Sequence, residues 1–147
     1  MKTLTLALAV ILCGSIAAHA GPFTDEMSRC IVRKTTESDK TLFIKWIYAA
    51  MSSHPDVASL ANVSPELKDD LNKNAAKLVM ELLTVRCKEE CQQAVEFEGE
   101  DSFKTSFGTL GRVAMQGLMS HPDVAAYLSG LERYFDEKKL KKTFKRQ

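Results

Sequence analysis

Two histidines and two aspartates recur in one frame. His54-Pro55-Asp56-Val57 returns 67 positions later as His121-Pro122-Asp123-Val124. Two imidazoles and two carboxylates are a sufficient donor set for zinc if a fold brings them together. His54, Asp56, His121 and Asp123 are therefore the metal-ligand candidates of this chain. Nothing in their spacing forces the two motifs to meet, and the same residues have a structural reading. Proline disfavours helical backbone in the residue before it and is tolerated in a helix's first turn. Each motif then reads as a corner where one helix stops and another starts. In Ser53-His54-Pro55-Asp56 and Ser120-His121-Pro122-Asp123 the serine is the expected N-cap. Its hydroxyl would accept a backbone N–H, with the aspartate at the positive end of the new helix. Val57, Leu60, Val124 and Leu128 are expected to face the core after the turn.

The cysteines are the second set that can do chemistry. Of four, Cys13 belongs to an N-terminal leader, leaving Cys30, Cys87 and Cys91. An odd count outside the reducing cytosol predicts one disulfide and one leftover thiol. Cys30 and Cys87 each follow an arginine and are the expected pair. Cys30 with Cys91 is the alternative, because Cys87 and Cys91 lie one helical turn apart. The leftover thiol is expected to be a buried small hydrophobe rather than a nucleophile.

The third set is cationic. Lys138, Lys139, Lys141, Lys142, Lys145 and Arg146 crowd the last ten residues and form the candidate partner surface, able to touch an anionic face. Beyond these, the chain has no G-x-S-x-G elbow, phosphate-binding glycine loop, H-E-x-x-H helix or Cys-x-x-Cys pair. Carboxylate pairs such as Asp69-Asp70 and Glu89-Glu90 sit among lysines and read as solvated helix faces. The Asn62-Val63-Ser64 sequon is followed at once by Pro65 and carries little weight. No catalytic residue and no cofactor is expected.

The address of the chain is read from its start. Lys2, the apolar run Leu4 to Leu12 and Ala18-His19-Ala20 follow the order of a signal peptide over residues 1–20. The run is too short to span a bilayer as a helix of about 20 residues. A single domain over 21–147 is expected, secreted or periplasmic, with a basic tail at 138–147. Without Lys2 it keeps 19 of the 20 bases against 19 acids, so it has no general pull toward nucleic acid or membrane.

The elements that position these residues read as helices. Apolar residues recur three and four apart, and prolines stand where helices begin. The expected fold is all-α: a small bundle of about five to seven helices with one disulfide, arranged as two pseudo-repeated helix-corner-helix units. A first short helix over Thr24 to Thr35 is expected to place Phe23, Met27, Cys30, Ile31 and Lys34 on one face. Ser38-Asp39 opens a nearly all-apolar segment expected at the centre of the bundle. Ser64-Pro65-Glu66 starts a helix striped by Leu67, Leu71, Ala75, Leu78 and Leu82, with a bend near Val85 to Lys88 and a stop at Gly99. Ser102 is the expected cap of the next helix. Gly108, Gly111 and Gly117 within it predict close approach of a neighbour, Ala49 and Ala50 being candidates; a ligand against bare backbone is the alternative. Leu128, Leu131, Tyr134 and Phe135 are expected to bury.

Together these readings point to a protein that binds another macromolecule, as an adaptor, chaperone, inhibitor or immunity protein. One alternative is a carrier enclosing a small apolar ligand between Phe-, Met- and Ala-rich helices. The other is a metal-binding protein or enzyme using His54 and His121.

Overall fold

The computed structural model describes residues 21–144. The expected leader at 1–20, with Cys13, and the last two cations, Lys145 and Arg146, lie outside the described residues. Within them are eight α-helices: α1 Pro22–Lys34, α2 Glu37–Met51, α3 Pro55–Ala58, α4 Pro65–Glu81, α5 Lys88–Glu98, α6 Asp101–Met119, α7 Pro122–Ser129 and α8 Glu137–Phe144. A π-helical segment, Leu82–Arg86, joins α4 to α5, and a 3-10 segment, Gly130–Tyr134, follows α7. The count exceeds the five to seven expected because α3 is a single turn and the tail forms a helix of its own.

The core sits where α1 packs against α5 and α6. Met27, Cys30 and Ile31 of α1 are buried, facing Leu82, Cys87, Cys91 and Ala94. The stripe Leu71, Ala75, Leu78 and Leu82 advances by four, three and four residues, then by five to Cys87. A regular α-helix cannot keep a five-residue step on one face. The π segment absorbs it: the Cys87 N–H donates to the Leu82 carbonyl at 2.9 Å, and Cys87 leaves helical geometry at φ −131°, ψ 34°. This irregular stretch overlaps the place where a bend is expected, and Leu82 and Cys87 are both buried.

Central burial falls to α1 rather than to the apolar segment of α2. Along α2 only Phe43 and Ala49 are buried, while Trp46, Tyr48 and Met51 are exposed. The helix lies to one side, on α4 and α6, because its apolar residues go almost all round and only one face can meet the bundle. Its N-cap is Thr36, in a reciprocal capping box with Asp39.

Two other local expectations change. Ser102 lies inside α6, its hydroxyl donating to the Gly99 carbonyl at 2.6 Å. Gly99, at φ 84°, ends α5 in left-handed backbone and lets the chain re-enter a helix almost at once. The α6 glycines do not serve close packing, since a Cβ on Gly108, Gly111 or Gly117 would meet nothing within 4 Å.

Candidate functional site

The two corners share one geometry, and it is not a serine cap. Proline at the first helical position forces the residue before it into extended backbone, so histidine becomes the N-cap: φ −69°, ψ 132° at His54 and φ −64°, ψ 132° at His121. Each imidazole Nδ1 accepts the N–H of its aspartate, Asp56 or Asp123, at 3.3 Å. The serines belong to the helices that end there. Ser53 donates to the Ala49 carbonyl at 3.1 Å, and Ser120 to the Gln116 carbonyl at 2.8 Å. Val57, Leu60 and Leu128 are exposed and Val124 is half-buried, because α3 and α7 turn away from the core.

As metal ligands, His54 with Asp56 and His121 with Asp123 remain two separate exposed pairs, at 3.7 and 3.8 Å. Among the described residues the one set of three donor atoms within 4.8 Å of one another is Cys30, Cys87 and Glu90. Its two sulfurs are bonded to each other, Cys30–Cys87 at 2.10 Å, and offer no thiolate. Among the described residues Cys91 is the free cysteine, and it is buried. Burial, helped by the charge of Glu90, pushes its thiol up to about 11, so it stays protonated at neutral pH.

Around the disulfide, polar side chains lock the bundle. Arg86 reaches from the π segment to Asp39 at 2.6 Å, to Glu81 at 2.9 Å and to the Lys34 carbonyl at 2.9 Å. Burial works to raise the Asp39 pKa, but the Thr36 amide and the Arg86 guanidinium outweigh it, leaving it below the usual carboxylate range. Glu98, at the end of α5, caps the start of α1 by accepting from the Phe23 N–H at 3.0 Å and the Thr24 N–H at 2.8 Å. Burial opposes its charge and these hydrogen bonds outweigh it, so its pKa is also lowered. Ser28 and Ser106, both buried, join α1 to α6 at 3.0 Å. Glu98, Ser28 and Ser106 escape sequence reading because their partners lie more than 70 residues away.

Two surfaces stand out for binding among the described residues. The first is the arm from Pro122 to Phe144. α7 meets the bundle at α6, and α8 packs substantially on no other helix. No residue of the arm is buried. Tyr127, Tyr134 and Phe144 are 84%, 81% and 75% exposed, and Leu131 is 61% exposed. The expectation that Leu128, Leu131, Tyr134 and Phe135 bury is overturned, because no described residue folds back to cover them. Lys138, Lys139, Lys141 and Lys142 stand on α8 among these apolar groups, and Lys141 pairs with Glu137 at 3.1 Å.

The second surface is a half-open apolar pocket on the bundle. Phe43, Trp46 and Ile47 of α2, Val79 of α4, and Phe107 and Gly111 of α6 line an apolar cavity of about 320 Å³. The Trp46 indole N–H donates to the Asn72 Oδ1 of α4 at 2.8 Å. No helix of the described residues is long and apolar enough to cross a membrane. Compared with protein-family models, curated proteins and solved structures, the chain finds no match.

Proposed function

We propose that this is a secreted or periplasmic, non-catalytic binding protein whose C-terminal arm docks on another protein. One observation carries the reading: the arm is helical from Pro122 to Ser129 and again from Glu137 to Phe144, yet it buries none of its residues. Exposed apolar patches of this kind, rimmed by charge, mark interaction surfaces. Tyrosine and phenylalanine beside lysine fit a partner face that is apolar at its centre and acidic at its edge. A protein suits the arm better than a bilayer. In α8 only Leu140 and Phe144 offer apolar depth, which is little for an interfacial helix, and the other apolar groups are spread over three segments.

The test is crosslinking in the native compartment with the full chain and two variants, Leu131→Glu with Tyr134→Glu, and Lys138, Lys139, Lys141 and Lys142 all changed to Glu. The wild type should yield one stoichiometric protein partner, lost in the first variant and weakened in the second, with melting temperatures unchanged. Equal capture by all three forms would remove the arm from the interface. Binding to anionic vesicles, with no protein recovered, would replace the protein partner by lipid.

A further inference from the structure

We propose that the cavity between α2, α4 and α6 is a binding site for a small, uncharged, mostly hydrocarbon molecule. Its lining is almost wholly apolar, and at about 320 Å³ it falls at the lower end of the ~300–1,000 Å³ typical of ligand pockets. A ligand with a buried charge or an unpaired donor would lose its water and find no partner there. Three aromatic rings, those of Phe43, Trp46 and Phe107, face the space and favour a flat apolar guest.

Gly111 is the α6 glycine that lines this pocket. Glycine inside a helix lowers its stability, and the usual compensation is close approach by a neighbour. Here no neighbour approaches: a Cβ on Gly111 would meet nothing within 4 Å. The missing side chain keeps this side of the pocket open. The wall opposite is fixed in advance, because the Trp46–Asn72 hydrogen bond ties α2 to α4 and holds the indole at the edge of the cavity. The site belongs to the bundle and does not depend on the arm.

Trp46 is the single tryptophan of the chain, so its emission reports directly on occupancy. The experiment titrates the full mature chain with the neutral probe N-phenyl-1-naphthylamine and with the charged 1-anilinonaphthalene-8-sulfonate. The neutral probe should quench Trp46 saturably at one molecule per chain, and the sulfonate should bind at least tenfold more weakly. Gly111→Leu should fill the space and weaken the neutral probe at least tenfold, with unchanged circular dichroism. Val79→Phe provides the same reading if Gly111→Leu misfolds. Absence of saturable quenching, equal affinity in both filled variants, or equal affinity for the two probes would overturn the proposal. So would binding that is lost only when residues 122–147 are removed, since the probe would then be on the arm.

Discussion

At His54 the chain turns, makes the single turn of α3, crosses residues 61–64 without regular structure and re-enters the bundle as α4. At His121 it turns in the same way, makes α7 and does not return. The caps superimpose in kind, down to the same 3.3 Å imidazole-to-amide hydrogen bond. The difference lies downstream. Ser64 and Pro65 start a helix whose Leu71, Ala75 and Leu78 form one stripe, and Lys68 ties that helix back to Ser53 of the corner at 2.9 Å. After the second corner the apolar residues are divided among α7, a 3-10 segment and α8, and none of them is buried. Cap chemistry therefore fixes that the chain turns; the periodicity that follows decides whether it comes back.

The contrast is broken most strongly at the disulfide. It closes a 57-residue separation that contains the first corner and nothing of the arm. Replacing Cys30 and Cys87 by alanine should lower stability by about 3–4 kcal/mol, seen in the urea midpoint. Next, Leu78→Ala, in the helix that returns, should cost about 3 kcal/mol. Leu131→Ala, in the arm that does not, should stay within about 0.5 kcal/mol. Equal costs at the two leucines would mean the arm is packed.

Acid supplies a smaller effect with a definite sign. Asp39 and Glu98 hold their protons less tightly when folded than when unfolded. Their contribution is complete above the ordinary carboxylate pKa and is lost as pH falls through their lowered values. Asp39→Asn should flatten the acid limb of a stability–pH curve, because the loss has then already occurred at neutral pH. An unchanged limb would show that the Arg86 contact is not stabilising. Smallest of all, His54→Ala and His121→Ala should each cost no more than about 1 kcal/mol, and about equally. Removing residues 138–147 should leave the urea midpoint within about 0.5 kcal/mol of wild type.

Much of the architecture was legible because it is local. Proline at a first turn, Ser64 as a cap and Gly99 as a stop act within four residues, and the π segment after Leu82 shows as a five-residue step in the stripe. The corner serines misled because Ser-x-x-Asp fits a capping box, yet proline reserves the cap for the residue directly before it. Burial of the arm was misjudged for a different reason: Leu128 and Tyr134 look like core residues by type, and only the absence of a covering helix exposes them. The α6 glycines posed the same problem. Sequence counts a missing side chain but not whether a neighbour occupies the gap.

The cap that Glu98 places on α1 has a consequence for the order of events. Phe23 and Thr24 wait for a carboxylate made about 75 residues later, and Gly21 leaves room beside it that any side chain would take. Closing so long a loop is slow compared with forming a helical turn. The first described helix in chain order therefore takes its cap from the far end of α5 and cannot be capped in this way until that loop has closed.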